Sequence, residues 1–283
     1  WIDFDETFEE NWISKLKAFL STGNNQTHKP DSIQFYNTFT GTDYKWFQTR
    51  AHRAEKYRWK YCAHEVLLPL DKDRTDRIVQ IDILITHPSK AQRNDYTAQL
   101  LKSHEKYADG RTAYYLGREY LYNKDFQNAA KYLNDCLFVH NGWVAERGEA
   151  ANMLADIHQT LNPNLVERYL YFYLAFCNTQ REPYIALARY FYKQNAWEQV
   201  VAYGTRALSI AKPTSGYLNL YESNYQEVPH DLLCIAYHHL GNTTAAAHHA
   251  KQCLHYKPHE KRFQDNVSYY VNTGVIPPEN SAS

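Results

Sequence analysis

The sequence predicts two structural classes in one chain, an α/β domain over residues 1–90 followed by an all-α helical repeat domain over residues 91–283. Three observations carry this expectation. Strand patterns, in which β-branched and aromatic residues alternate with polar ones, are confined to the segment ending at His87. From Tyr96 onward the apolar residues fall at helical spacing instead. Small and aromatic residues then recur at a period of about 34 residues, the signature of stacked helix pairs.

The chain opens on Trp1-Ile2-Asp3-Phe4-Asp5-Glu6, a short apolar run that ends in closely spaced carboxylates. Such an oxygen-rich corner suits a hard divalent cation. It reads equally as an acidic lead-in to a helix, where carboxylates meet the positive end of the dipole. Trp12, Ile13, Leu16, Phe19 and Leu20 then predict an amphipathic helix from Glu9 to about Leu20. Ser21 to Pro30 is a loop. Ile33–Phe39 and Tyr44–Thr49 read as strands joined by the turn Thr40-Gly41-Thr42-Asp43. A third strand is expected from the alternation of Tyr57, Trp59, Tyr61 and Ala63, ending at His64-Glu65. A fourth places Val79, Ile81, Ile83 and Ile85 on one face and stops at Thr86-His87-Pro88.

Composition narrows the function classes. Lys+Arg and Asp+Glu both number 31, so no excess charge draws the chain to nucleic acid or to an anionic membrane. No apolar run reaches the roughly 18 residues of a transmembrane helix. The five cysteines, Cys62, Cys136, Cys177, Cys234 and Cys253, are odd in number and widely spaced, which argues against a disulfide framework or a CxxC-type zinc site. A reducing, cytoplasmic setting is the expectation. Three glycosylation sequons, at Asn25, Asn242 and Asn266, have no secretory context to give them meaning.

The repeats follow a tetratricopeptide pattern. Leu116-Gly117, Tyr120, Ala129, Leu133 and Cys136 form one unit; Leu187-Ala188, Phe191, Val200, Gly204 and Ala207 form another; Cys234, Tyr237, Gly241, Ala246, Ala250, Cys253 and Pro258 form a third. Glu149 to Phe176 is a degenerate copy, with Ala155 in place but Glu167 where a small residue belongs. Stacked pairs of this kind commonly hold a protein partner in a concave groove. The cysteines at these positions read as small apolar residues at helix contacts. An insertion from Pro213 through Tyr225 breaks the period and is expected to form a loop over one face. His238-His239 and His248-His249 invite a metal reading, but no carboxylate or cysteine spacing supports it, and a polar helix face is the expectation.

The residues also carry a resemblance. Asp3-Phe4-Asp5-Glu6 ahead of an amphipathic helix resembles the DxD region of inverting family 2 glycosyltransferases. Arg50-Ala51-His52-Arg53, Arg58-Trp59, Ala63-His64-Glu65-Val66-Leu67 and Ile83-Leu84-Ile85-Thr86-His87 are similar, in order, to motifs of the branch of that family with tetratricopeptide repeats behind the catalytic domain. The resemblance implies a partial GT-A-like domain, its nucleotide-binding half expected upstream of Trp1. It implies inverting transfer from a nucleotide-diphosphate sugar to a carbohydrate, peptide or protein acceptor. Asp3, Asp5 and His87 would hold Mn or Mg against the diphosphate, whose leaving-group charge the ion would offset. Asp3, Asp5, Arg50, Arg53 and His64 would contact the donor. Glu65 would be the general base, a role that competes with pairing to Arg50 or Arg53.

Overall fold

The computed structural model describes residues 7–22, 30–40, 44–61, 66–71, 78–87, 96–139, 142–214 and 217–277. The chain divides into two compact units, residues 1–142 with 218–220, and residues 143–217 with 221–283.

In the first unit a mixed sheet has strand order β1 (Thr7–Phe8), β6 (Ile78–His87), β2 (Ser32–Phe39), β3 (Tyr44–His52) and β7 (Leu220–Tyr221). β2 runs parallel to β6 and antiparallel to β3, while β1 is antiparallel to β6. Period-two alternation puts Ile33 and Phe35 of β2 beside Ile83 and Ile85 of β6 in the buried face. Helix α1 (Trp12–Thr22) covers that face with Trp12, Leu16 and Phe19, as its apolar spacing requires. Lys15 pins the helix down: its Nζ donates to Glu9 Oε1 at 2.8 Å and to the Asp82 carbonyl at 2.9 Å.

The third expected strand is shorter than its alternation suggests. β4 (Tyr57–Lys60) stops because Tyr61 turns into the left-handed region, with φ 75°, and β4 pairs with β5 (Val66–Pro69) in a separate ribbon. What holds a tyrosine there is Asp109. The Tyr61 hydroxyl donates to its Oδ2 at 2.7 Å, Lys60 Nζ lies 3.2 Å from the same oxygen, and Oδ1 accepts the Thr112 amide at 3.1 Å. Asp109 is thereby the N-cap of α3 (Gly110–Tyr122), which packs between α2 (Tyr96–Tyr107) and α4 (Phe126–Phe138).

The second unit is built of antiparallel helix pairs: α5 (Val144–Leu161) with α6 (Val166–Cys177), α7 (Glu182–Lys193) with α8 (Trp197–Leu208), and α9 (Glu227–His239) with α10 (Thr243–Tyr256). Like α3 with α4 in the first unit, each of these pairs has the tetratricopeptide-like form that the period predicts. Cys136, Cys177, Cys234 and Cys253 are all buried thiols on these helices, as small apolar contacts should be. The degenerate copy resolves by one residue. The turn between α5 and α6 is closed by a tight 3-10 segment, Pro163–Leu165, so Val166 arrives early and is buried where Glu167 was expected. Glu167 instead faces the Tyr190 hydroxyl at 3.4 Å. A final helix, α11 (Lys261–Asn272), which the repeat pattern did not announce, covers the end of the stack by adding Tyr270 to a cluster of Cys234, Ala246, Ala247 and Ala250.

Candidate binding cleft

A cleft of about 550 Å³ opens within the second unit. One wall is α5, where Asn152, Ala155, Asp156 and Gln159 fall at helix-face spacing. The other is α7, where Ile185, Ala186, Arg189, Tyr190 and Lys193 do the same. Val166, Leu170 and Tyr173 of α6 supply further apolar surface. Ala155 and Ala186, small residues on facing walls, leave the space open.

The polar groups at its mouth are linked. Lys193 Nζ donates to Gln159 Oε1 at 3.0 Å, and Gln159 Nε2 donates to Asp156 Oδ1 at 2.9 Å, a chain that runs from α7 to α5. Burial pushes the Asp156 carboxyl above its ordinary value, against the opposing pull of Lys193 and the Gln159 hydrogen bond. Arg189 is exposed and forms no ion pair among the described residues.

At the other end, the insertion between the repeats completes the lining with Tyr221, Ser223 and Asn224. Its last part is fastened by α7. Glu182, buried in the first turn, accepts the Tyr221 amide at 3.2 Å and the Tyr225 hydroxyl at 3.0 Å. Burial raises the Glu182 carboxyl, and those hydrogen bonds oppose the rise. Arg181 donates to the Ile210, Leu208 and Asn224 carbonyls, so both ends of the insertion are held by neighbouring residues.

The residues singled out in the sequence lie elsewhere. Asp3, Asp5, His64 and Glu65 fall outside the described residues. Arg50 is buried at a β-bulge, where Ala51 pairs with Ile33 but Thr49 pairs with Gln34. Its Nη2 donates to the buried Asn37 Oδ1 at 2.6 Å, an interaction inside the sheet. Arg53 follows β3 and donates its amide to the Asp31 carbonyl at 3.1 Å. The backbone of His87 ends β6 opposite Phe39, whereas His52 lies opposite Ser32. Arg53 and His87 therefore stand at opposite ends of β2, roughly 20 Å apart at the rise of an extended strand. The register does not bring these two together.

Among the described residues no group of three or more His, Cys, Asp and Glu side chains could hold a metal ion. The histidines of the last pair divide: His238, His239 and His248 are exposed as expected, but His249 turns inward to His230. Sequence reasoning missed the cleft because its lining alternates polar and small residues along two helices. The only trace was the spacing of Asn152, Asp156 and Gln159.

No protein-family model matches the chain, and comparison with curated proteins also gave no match. Among solved structures the chain is similar to two crystal structures of MamA, with 16% and 13% identity and TM-scores of 0.45 and 0.46. Both cover 59% of this chain, and 83% and 90% of theirs. It is also similar to pilF of Pseudomonas aeruginosa at 14% identity and a TM-score of 0.47, over 61% of this chain and 72% of that one. At these scores the helix-pair architecture stands on the chain's own elements. No helix among the described residues is long and apolar enough to cross a membrane.

Proposed function

We propose that the second unit is a tetratricopeptide-like interaction module, whose cleft between α5 and α7 takes an extended segment of a protein partner. The observation that supports this reading is the convergence of Asn152, Gln159, Arg189 and Lys193 over the apolar surface of Ala155, Leu170 and Ile185. Amide and cationic donors set along an apolar slot suit a peptide, whose backbone accepts hydrogen bonds and whose side chains fill the slot. The exposed Arg189 favours a segment with a carboxylate. Metal-dependent sugar transfer remains the implication of the resemblance, carried by Asp3, Asp5, Arg50, Arg53, His64, Glu65 and His87, and the cleft does not depend on it.

A selection from displayed random peptides on the whole chain tests the reading. Enriched peptides are expected to share an acidic position, to bind at least about tenfold more weakly to Arg189→Ala, a loss of about 1.4 kcal/mol, and to fail on Ala186→Arg, which fills the slot. Unchanged binding to both variants, with the helical circular dichroism intact, would overturn it.

A further inference from the structure

We infer that α9 and α10 form an acid-labile clasp, in which a pair of histidines shared between the helices holds them together while both rings are neutral and parts them when both become charged. His230 of α9 and His249 of α10 meet Nδ1 to Nδ1 at 2.9 Å, both half-buried. A bond between two imidazole nitrogens needs one ring to donate its N–H and the other to offer a lone pair. Two imidazolium rings have no lone pair to offer. They would face each other as donors and like charges.

The surroundings reinforce this. His249 lies parallel to Tyr237, with ring centroids 5.7 Å apart, and His230 lies near the Tyr256 ring at 6.0 Å, so aromatic rings flank the pair. The charged and titratable groups that act on it are His248 on α10 and Arg181 just ahead of α7, and both disfavour an added proton. The insertion's short turn also packs against α9, but its Tyr225 hydroxyl is engaged with Glu182 and the Arg181 amide. Burial first, then His248 and Arg181 at His230, and His230 and His248 at His249, push both imidazoles down to about 4.

The other histidine contacts of α9 tolerate acid. His239 stacks on Trp197 of α8 at 4.1 Å, where a charged ring gains a cation–π attraction. His238 Nδ1 lies 3.1 Å from the Tyr270 hydroxyl of α11, which can accept from a charged ring as readily as from a neutral one. Acid therefore acts on the α9–α10 seam. Because the folded values lie below the ordinary 6.5, the pair's contribution is complete above pH 6.5 and is lost as the pH falls toward 4. Ser223 and Asn224 of the cleft lie just ahead of α9, so opening the seam would also disturb that edge. The clasp itself does not rest on what the cleft binds.

Hydrogen exchange by mass spectrometry at pH 7.0 and pH 4.5, corrected for intrinsic rates, tests the clasp on the whole chain. Linkage sets the ceiling at roughly 50- to 100-fold per ring at pH 4.5. Protection in α9 and α10 is expected to fall at least tenfold further than in α5 to α7. The double variant His230→Phe with His249→Phe, which keeps His238, His239, His248 and His255, is expected to abolish that difference. If it does not fold at pH 7, His249→Gln serves, since an amide can pair with His230 without titrating, and the difference should shrink. An equal fall in all helices of the wild type, or a difference that persists in the folded variant, overturns the inference.

Discussion

The sheet of the first unit and the helix pairs of both units are held by opposite means. In the sheet, β2 joins β6 across a long stretch of chain, and a buried face of large residues, Ile33, Phe35, Ile83 and Ile85, exists only if the register is right. In the helix pairs, neighbours in sequence meet, and the closeness of approach is set by small residues. A Cβ added at Gly148 of α5 would overlap the Cys177 Sγ of α6, and one added at Gly117 of α3 would press on Leu133 of α4. Both bury large side chains, but in the helix pairs glycines at the crossings decide how closely the helices approach. Removing volume should therefore damage the sheet, and adding it should damage the pairs.

The largest effect is expected in the sheet. Ile85 is fully buried on β6, between β1 and β2, and Ile85→Ala should cost about 3–4 kcal/mol in urea denaturation. A loss below about 1 kcal/mol would mean that this face is not the core. Next comes the opposite change in the repeats. Gly148→Ala should cost about 2–3 kcal/mol, and combining it with Cys177→Ala should restore most of that loss, since the clash is with one sulfur. If the two losses simply add, the contact between α5 and α6 is not set there.

The smallest effect belongs to the junction at Asp109. Burial pushes its carboxyl up, but hydrogen bonds from Tyr61, Thr112 and Lys60 outweigh it, and the group sits below its ordinary 3.8. Its contribution is therefore complete above that value and is lost as the pH falls through the lowered folded value. Asp109→Asn should cost about 1 kcal/mol at pH 7 and much less at pH 2, a convergence that paired denaturation curves would reveal. A constant difference across that range would assign the loss to packing instead of charge.

Much of the architecture was legible because it repeats a local rule. The alternation in β6 and the recurrence of Leu116 and Leu187 with Ala129, Val200 and Ala246 each mark a buried face that neighbouring residues alone define. The departures arose where geometry depends on a partner distant in sequence or on the length of a turn. Tyr61 breaks its strand because Asp109 is there to receive its hydroxyl. Val166 replaces Glu167 because a tight turn shortens the connection. The donor contact that the resemblance implies for Arg50 could not foretell its bond to Asn37, which the bulge sets up inside the sheet.

The sequence by itself determined the class of each region, the placement of most helices and strands, and the burial of Cys136, Cys177, Cys234 and Cys253, since all of these follow from side-chain period and size. Only the tertiary structure decided which polar residues meet. The cleft depends on two helices from successive repeats presenting their faces across a gap, and the histidine pair on two helices lying side by side. Hydrogen bonds need atoms within about 3 Å, a condition that no spacing along a chain can state until the chain has folded.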